Sequence, residues 1–285
     1  MTTRMELPGD LVDDVVTRAL QEDLGLAGDL TSAAIFDDDA TVTARLVARQ
    51  DLTVAGLDIA ARVFSHVDPS IATTLHVVDG TEVAASTVLA TVAGPTRGIL
   101  GGERVALNFL GRLSGIATLT SRMVALTAGT NARVADTRKT TPTLRALEKY
   151  AVRMGGGSNH RFGLFDAVMV KDNHIAAAGG ITAAVTAVRS RVGHTVTIEV
   201  EVDDLDQLPE LLEVGADVVL LDNMGIDELR RAVAVVDGAM VVEASGGITA
   251  ATIADVAATG VDVISLGALT HSAANADVAL DVVAD

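Results

Sequence analysis

The C-terminal half of the chain repeats an apolar, strand-like run every 22 residues: HTVTIEVEV (194–202), ADVVLLDNM (216–224), GAMVVEASGG (238–247) and GVDVISLG (260–267). Each interval holds a helical pattern, such as LDQLPELLEVG (205–215) or TAATIADVAATG (249–260). A strand followed by a helix at a fixed period is typical of βα units. The runs therefore predict a parallel sheet, with polar or small residues recurring where each strand ends.

Two further strands are predicted upstream, near Ala132–Asp136 and Ala167–Lys171, which brings the count to about six. A closed (β/α)₈ barrel has eight strands, so the pattern favours either an incomplete, about six-stranded α/β barrel or an open parallel sheet. In both architectures ligands bind at the carboxyl ends of the strands. The strand exits are therefore where we expect the chemistry.

An N-terminal α+β domain is predicted before these units. An opening helix is expected between Pro8 and Gly25, and β-rich runs follow at 42–48, 71–78 and 83–92. Asp79-Gly80, between the last two runs, is typical of a hairpin turn and indicates an antiparallel sheet.

The length of 285 residues suits two domains. A helical stretch from Gly98 to Gly129 connects them. We assign residues 1–112 to the N-terminal domain and residues 113–270 to the α/β domain.

Composition excludes several classes of function. Lys and Arg number 21 against 38 Asp and Glu, and a net charge of −17 argues against a nucleic-acid partner. No apolar run reaches the length of about 18 residues that a membrane span requires, and the opening MTTRMELPGD lacks the apolar core of a secretion signal. Without cysteine, disulfides, thiolate metal sites and a Cys nucleophile are excluded. We expect a soluble, cytoplasmic protein without a nucleic-acid or membrane partner.

One segment is basic although the chain is acidic. Between Glu103 and Asp172 stand eleven Lys and Arg, including all three lysines of the chain, against five acids, so this segment carries +6 and the remainder −23. A local cationic site in an acidic protein suits a small, multiply charged anion. The alternative is that these cations pair with acids one helical turn away, as Arg145 and Lys149 around Glu148 could do.

The positions of individual cations favour an anion site. Arg138 and Lys139 directly follow a predicted strand, in TRKTTP (137–142), where Thr hydroxyls and turn N–H groups add donors. Lys171 ends another strand, where an ammonium is costly without an anionic partner. His160 and Arg161 follow a Gly-rich segment whose mobility would let them approach a ligand closely.

Carboxylates and glycines occupy the other strand exits. Glu201 and Asp222 could hold Mg²⁺ through water or accept hydrogen bonds from sugar hydroxyls, and Glu199 shares a face with Glu201 by the period of two. Ser245-Gly246-Gly247 and Ser265-Leu266-Gly267 each lie between a strand and a helical pattern, which is the arrangement of a phosphate cradle. His271 either assists there or solvates the start of the last helix.

These motifs closely resemble, in order and spacing, those of the quinolinate phosphoribosyltransferase family, the nicotinate-nucleotide pyrophosphorylases (carboxylating). The resemblance is carried by EDLGLAGDLT (22–31), ERVALNFLGRLSGIAT (103–118), TRKTTPTLRALEKYAV (137–152), GGGSNHRFGLFDAVMVKDNHI (155–175), IEVEV (198–202), LLDNM (220–224), EASGGI (243–248) and ISLGALTHS (264–272). It spans nearly the whole chain. One departure is Thr143, where the family often has Gly after TTP.

The resemblance implies an incomplete, six-stranded α/β barrel flanked by an N-terminal sandwich-like domain, which residues 271–285 rejoin. It also implies a homodimer, alone or within a larger oligomer, in which each site is completed by the partner subunit. Members of the family transfer phosphoribose from phosphoribosyl pyrophosphate (PRPP) to the ring nitrogen of quinolinate. They release pyrophosphate and CO₂ and leave nicotinate mononucleotide, in the de novo synthesis of NAD.

Carried over by motif, the site residues fall into groups by ligand. Quinolinate would be held by Arg138, His160, Arg161 and Lys171, with Arg104 from the neighbouring subunit. PRPP would contact Lys139 and Lys171, its ribose and Mg²⁺ would contact Glu201 and Asp222, and its phosphates would contact Ser245, Gly246, Gly267 and His271. The catalytic residues among them would be Lys139, Lys171, Glu201 and Asp222.

Two other functions are consistent with the residues alone. Lys171 at a strand end could form a Schiff base in an aldolase-like barrel, because a lysine crowded by cations can have the lowered pKa that this chemistry requires. The same fold could also serve a non-catalytic sensor of phosphosugars or dicarboxylates, since fold does not determine function.

Overall fold

The computed structural model describes residues 7–283. They fall into two compact units. The first unit comprises the residues up to Ser121, Thr140–Gly156 and the residues from Leu269 on, and the second comprises Arg122–Lys139 and Gly157–Ala268. Within the described part of the chain, no helix is long and apolar enough to cross a membrane.

Helices and strands alternate along the chain. Up to Leu126 they are α1 (Gly9–Leu24), α2 (Leu30–Ile35), β1 (Thr41–Ala48), β2 (Leu52–Thr53), α3 (Leu57–Val67), β3 (Ala72–Leu75), β4 (Glu82–Val83), β5 (Val88–Pro95) and α4 (Thr96–Leu126). Next come β6 (Arg133–Ala135), α5 (Arg145–Met154), β7 (Val168–Val170), α6 (Asp172–Ala178), α7 (Ile181–Arg189) and β8 (Ile198–Val202). After a 3₁₀ turn at Leu205–Gln207, the chain forms α8 (Leu208–Val214), β9 (Val218–Asp222), α9 (Ile226–Val236), β10 (Val241–Ser245), α10 (Ile253–Ala257), β11 (Val263–Ser265), α11 (Ala268–His271) and β12 (Val278–Val282).

The second unit is a six-stranded parallel sheet in the order β6-β11-β10-β9-β8-β7. Val219, Leu220 and Leu221 of β9 are all buried although successive side chains point to opposite faces, as in a sheet that is covered on both sides. Within residues 7–283, β6 and β7 form the two edges and do not pair with each other, so the sheet is not a closed barrel. The predicted α/β class with about six parallel strands is confirmed.

The 22-residue repeat follows from the turn between each helix and the next strand. Gly215, Gly238 and Gly260 stand at equivalent places, with φ of 76°, 75° and 94°. Glycine adopts this left-handed conformation without a steric penalty, and the chain turns there toward the next strand. Gly215 also caps α8, whereas Asp237 caps α9 and Ala258 caps α10. These glycines are 23 and 22 residues apart, and β9, β10 and β11 begin at the same intervals, three residues after each glycine.

The first unit contains an antiparallel sheet in the order β12-β1-β5-β3. The opening helix ends where the sequence predicts, since the N–H of Gly25 bonds to the carbonyl of Gln21 at 3.1 Å. The C-terminal strand β12 pairs with β1, with Leu280 opposite Leu46. The C-terminal residues thus return to the N-terminal sheet, as the family resemblance implies.

The hairpin predicted at Asp79-Gly80 is wrong. β3 pairs with β5, and β4 pairs with β2, so the runs on either side of this dipeptide are not partners. The Asp79 carboxylate instead accepts the N–H groups of Gly56 and Leu57 at 2.8 and 3.0 Å, where α3 begins. Burial raises the pKa of Asp79 even though these hydrogen bonds oppose the shift. A long-range helix cap has taken the place of the local turn.

The division into units differs from the predicted boundary at residue 112. Helix α4 runs through that position without a break, and the units separate only after Ser121. Thr140–Gly156, which the sequence assigns to the α/β domain, belongs to the first unit. The reason is that side chains of α5 form hydrogen bonds with residues of the first unit. The Tyr150 hydroxyl donates to Asp79 at 2.8 Å, and Glu148 accepts from Arg112.

Glu148 is a buried carboxylate of the first unit with several hydrogen-bond donors around it. Its side chain is inaccessible to solvent, and Oε1 lies 2.8 Å from Nη2 of Arg112. It also accepts the Thr141 N–H at 3.0 Å and the Thr141 hydroxyl at 2.7 Å. The partner of Glu148 is therefore a residue 36 positions away, in addition to any neighbour on its own helix.

We predict that Glu148→Ala lowers the free energy of unfolding by about 3–5 kcal/mol. The reason is that the substitution leaves the mostly buried Arg112 guanidinium without its carboxylate partner. Urea denaturation monitored by circular dichroism measures the change. Glu22→Ala, at an exposed acid of α1, is the matched control. A Glu148→Ala midpoint equal to that of the control would refute the structural role assigned to this pair.

Candidate functional site

A cavity of about 440 Å³ opens at the carboxyl ends of the second unit's strands. Its lining consists of residues that lie within or directly after successive strands, together with two residues from the segment before β7. These are Thr137, Arg138, Lys139, His160, Arg161, Met169, Lys171, Glu201, Leu220, Asp222 and Ser245. Eight of the predicted site residues thus share one cavity. Four carry Lys or Arg side chains, and two carry carboxylates.

The segment 157–161 extends the sheet beyond β6. Ser158 forms a parallel bridge with Ala135, and its N–H donates to the carbonyl of Val134 at 2.8 Å. The buried Asp136 carboxylate then accepts the backbone N–H of His160 at 2.9 Å and the Asn159 amide at 2.5 Å. These bonds hold His160 and Arg161 in place at the floor of the cavity.

Among the glycines before this segment, Gly155 is required by close packing. Gly155 lies so close to the Ala117 carbonyl and the Thr120 side chain that an added Cβ would overlap both. The sequence suggests a mobile loop here, and the structure supplies a steric reason for glycine that needs no mobility.

The hydrogen-bond partners of Arg161 carry no charge, and the nearby acids Glu199 and Asp166 offset its charge only in part. Nη1 donates to the Ala167 carbonyl at 3.3 Å, and Nη2 lies 3.5 Å from Sδ of Met169. Burial and the nearby Arg138 lower the pKa of Arg161. An anion in the cavity would relieve that unfavourable charge, since opposite charge stabilises a cation in a poorly solvated place.

Lys171 and Glu201 form an ion pair across the exits of β7 and β8. The Lys171 side chain is 44% exposed and that of Glu201 is 19% exposed, so the ammonium faces the opening. At the next exit, Oδ2 of Asp222 accepts the side-chain amide of Asn223 at 2.7 Å.

The exits of β10 and β11 are lined by small residues. Gly246 has φ of 89°, and an added Cβ would collide with the Asn223 side chain, so glycine is required on both counts. The Ser265 hydroxyl donates to that of Ser245 at 3.0 Å. Helix α10 begins only at Ile253, so no helix follows Ser245-Gly246-Gly247 directly, which is a correction to the predicted cradle.

Arg104 and His271 lie in the first unit. Both are exposed, Arg104 on α4 and His271 at the end of α11, where Nδ1 is 2.6 Å from the Ser272 hydroxyl. Neither lines the cavity of the second unit. Gly246 directly follows the lining residue Ser245, whereas Gly267 neither lines this cavity nor adjoins a residue that does.

Sequence reasoning missed Glu243 and gave Glu199 no role. Both carboxylates lie behind His160, whose Nε2 is 3.2 Å from Glu199 Oε2 and 3.5 Å from Glu243 Oε1. The signal that could have found them is the period of two, because each precedes a cavity residue by two positions on its strand. Asp136 was likewise treated only as a strand end.

Known proteins match both parts of the chain. A family model described as the quinolinate phosphoribosyl transferase N-terminal domain matches residues 29–114, and the model of its C-terminal domain matches residues 116–281. A probable nicotinate-nucleotide pyrophosphorylase [carboxylating] of Bacillus subtilis is 46% identical over 261 residues, 92% of this chain and 90% of that protein. The corresponding Mycobacterium leprae protein is 41% identical over 278 residues, 96% of this chain and 98% of its own.

A solved structure is similar to this chain along almost its whole length. The nicotinate-nucleotide pyrophosphorylase of Francisella tularensis superposes with a TM-score of 0.94 at 39% identity and covers 98% of both chains. With two matching domain models and relatives of this identity along almost its whole length, the chain belongs to the quinolinate phosphoribosyltransferase family.

Proposed function

We propose that this protein transfers phosphoribose from PRPP to the ring nitrogen of quinolinate, with loss of CO₂, and so makes nicotinate mononucleotide and pyrophosphate. The observation that carries the proposal is the charge of the cavity. Four Lys and Arg side chains and His160 converge there on two carboxylates, in a protein of net charge −17. Both reactants are multiply anionic, and only a local excess of positive charge brings them together against their mutual repulsion.

Quinolinate is recognised by Arg138, which follows β6, and by His160 and Arg161 at the floor of the cavity. Arg138 and Arg161 present planar guanidinium groups, which bind carboxylates through paired hydrogen bonds, and His160 and Lys171 complete the set. The two adjacent carboxylates of quinolinate together engage all four of these side chains. A pyridine with one carboxylate leaves part of it without a partner.

PRPP is bound across the remaining exits. Lys139 and Lys171 act as point charges toward its phosphates, and Glu201 and Asp222 accept hydrogen bonds from its ribose hydroxyls. Ser245, Gly246 and Gly267, with His271, receive the phosphate groups. Gly246 suits this role because it directly follows the cavity residue Ser245 and has the left-handed backbone found in loops whose N–H groups bind anions.

Glu201 and Asp222 also suit a divalent cation. Their oxygen-only donor set at the cavity edge is the type that Mg²⁺ prefers, together with substrate phosphates and water. When bound, Mg²⁺ neutralises charge on the pyrophosphate leaving group.

The chain's own groups contribute positioning and electrostatics. The pyridine nitrogen donates its lone pair to the anomeric carbon of ribose, and the bond from that carbon to pyrophosphate breaks with its electrons on the leaving group. Glu201 and Asp222 stabilise the positive charge that develops at the anomeric carbon. The C2–carboxylate bond then breaks, its electrons stay at C2 beside the positive ring nitrogen, and C2 takes up one proton. No side-chain nucleophile is needed, so catalysis rests on orientation.

We further propose a homodimer in which Arg104 of each subunit enters the partner's site. Arg104 is exposed, and large apolar side chains on both units face solvent. They include Leu26 and Leu30 in the first unit and Leu164 and Phe165 in the second, the latter two within four residues of the cavity residue Arg161. Exposed apolar side chains of this size are typical of an interface.

A Schiff-base aldolase is disfavoured by the geometry. That chemistry needs a neutral, nucleophilic amine, whereas Lys171 Nζ donates to the Glu201 carboxylate in an ion pair. Borohydride would trap no catalytically competent adduct at Lys171.

We predict that the purified protein, given quinolinate, PRPP and Mg²⁺, releases pyrophosphate and CO₂ in equal amounts, and that nicotinate in place of quinolinate reacts at least about 30-fold more slowly. The reason is that losing one buried charged partner costs about 2–5 kcal/mol. Coupled pyrophosphate detection and ¹⁴CO₂ release measure both. Binding of PRPP without any turnover would favour the sensor over the enzyme.

We predict that Lys139→Ala or Arg161→Ala lowers kcat/KM by about 30- to 1,000-fold, because each leaves substrate charge without its partner, at a cost of about 2–4 kcal/mol. Arg191→Ala, at an exposed arginine of the second unit, removes the same charge away from the cavity and should change little. Equal kinetics in all three variants would contradict the anion-clamp assignment.

We predict complementation between Arg104→Ala and Lys171→Ala. Each homodimer should be nearly inactive, and mixed dimers should regain up to one intact site out of two, because the Arg104→Ala subunit supplies Lys171 and the Lys171→Ala subunit supplies Arg104 to the same site. Differently tagged subunits, co-expressed and isolated as heterodimers, allow the assay. Inactive heterodimers would mean that Arg104 does not act across subunits.

A further inference from the structure

Asn223 directly follows β9 at the edge of the proposed substrate cavity, and its backbone is left-handed. Its φ is 56°, and among the other non-glycine residues of the described chain only Ser86, Thr143 and Asp237 have a positive φ. Asparagine is one of the few residues besides glycine that adopt this conformation at low cost. The strand therefore ends here, with Asp222 as its last residue.

The side-chain amide of Asn223 holds one oxygen of the neighbouring carboxylate. Nδ2 donates to Oδ2 of Asp222 at 2.7 Å. Among residues 7–283, no other group forms a hydrogen bond or an ion pair with the Asp222 side chain. Asp222 is half-buried and lines the cavity of about 440 Å³. The amide thus occupies Oδ2 and leaves Oδ1 to accept from a ligand.

Asn223 also contacts the next strand exit. Its backbone N–H donates to the Ser245 carbonyl at 2.9 Å, which continues the pairing of β9 with β10 beyond the Asp222–Ser245 pair. A Cβ added to Gly246 would overlap Oδ1 and Cγ of Asn223, so the amide packs directly on the Gly246 backbone. Asn223 is exposed to solvent, yet Asp222 on one side and Gly246 on the other fix where its amide lies.

We propose that Asn223 is a positioning residue for PRPP, whose side-chain amide orients the Asp222 carboxylate toward the ribose hydroxyls. This inference rests on the proposed role of Asp222 in binding PRPP. Asn223 acts through Asp222, and Gly246 supports the amide from the other side.

An unsupported carboxylate does not hold this orientation by itself. The last torsion of an aspartate side chain has a broad, roughly two-fold energy profile, so a carboxylate without a fixed donor rotates. A donor on Oδ2 selects one orientation before the ligand arrives. Ribose hydroxyls then bind without the entropic cost of ordering Asp222.

An amide suits this task because it carries no net charge. At the neighbouring exit, Glu201 is held by the ammonium of Lys171, which is itself a proposed ligand of PRPP. A cation in place of Asn223 would neutralise Asp222 and compete with ribose and Mg²⁺ for its oxygens. The amide orients Asp222 and leaves the carboxylate its full negative charge.

A purely structural role for Asn223 leads to a different expectation. Glycine adopts a left-handed backbone without strain, so Asn223→Gly keeps the turn and removes only the side chain. If the turn alone matters, this variant binds PRPP like the wild type. Asp237 provides the matched control, because it caps α9 with φ of 43°, is exposed and does not line the cavity.

The test measures PRPP affinity in Asn223→Gly and Asn223→Asp, with Asp237→Gly as the control. Calorimetry gives the Kd for PRPP with Mg²⁺, and steady-state kinetics give the KM for each substrate. Both Asn223 variants should raise the Kd and the KM for PRPP at least about fivefold, because an oriented hydrogen bond to a charged group is lost. The KM for quinolinate and all values of the control should change less than about threefold.

Asn223→Asp separates the donor from the size of the side chain. Aspartate has nearly the same shape and also tolerates a left-handed backbone. It replaces the N–H donor with a second negative charge beside Asp222. Its loss of PRPP affinity should therefore exceed that of Asn223→Gly.

A double-mutant cycle shows whether the effect passes through Asp222. In an Asp222→Ala background the amide has no carboxylate to orient. Adding Asn223→Gly to that background should change the Kd for PRPP by less than about twofold. Circular dichroism melting shows that each variant is folded.

Two results would overturn the proposal. The first is a folded Asn223→Gly or Asn223→Asp protein with wild-type affinity for PRPP. The second is an equal loss when Asn223→Gly is added to the wild type and to Asp222→Ala, since the amide then acts without the carboxylate. A wild type that binds PRPP without turnover refutes the proposed function alone, and the Kd values still decide the role of Asn223. A wild type that neither binds nor consumes PRPP refutes both.

Discussion

Repulsion between like charges is the constraint on which this site depends. Arg138, Lys139, Arg161 and Lys171 line one cavity of about 440 Å³. Bringing them together costs free energy, and the chain offsets that cost with acids placed beside or behind the cations. Glu201 pairs with Lys171 at the rim, and Asp136 fixes the backbone of the floor segment. The glutamates behind His160 act from the far side, so the cations remain available to a ligand.

The parallel sheet makes this arrangement possible through its period of two. On β8, Glu199 and Glu201 share one face, with Glu201 at the cavity and Glu199 one level below it. On β10, Ser245 and Glu243 repeat the pattern. The strands thus carry two tiers of polar side chains, of which the upper tier meets the cavity and the lower tier meets His160. A single change of register would exchange both tiers for apolar residues, which ties the chemistry closely to the fold.

Local, repeating sequence patterns made much of the parallel sheet and of the cavity predictable. The 22-residue period located β9, β10 and β11, and polar residues at strand exits located the cavity, because both follow from backbone geometry that every βα unit shares. Long-range partners were not predictable in this way. Asp79 caps a helix that begins 22 residues earlier, and Glu148 bonds to Arg112, 36 residues away. The period of two places Glu243 on the same face as Ser245, but it does not show that a histidine from another segment faces this acid.

The Lys171–Glu201 pair shows how such a site gains selectivity. Each is a proposed substrate ligand, yet each already satisfies the other. An anion that approaches Lys171 therefore exchanges one partner for another, and the net free energy is the difference between two interactions of similar kind, each worth little where it is exposed. A single carboxylate or phosphate gains little by that exchange. Two reactants together can give Lys171 a negative partner and Glu201 a hydroxyl or cation partner, so both side chains gain favourable interactions. The geometry therefore favours binding of the two substrates together over either alone.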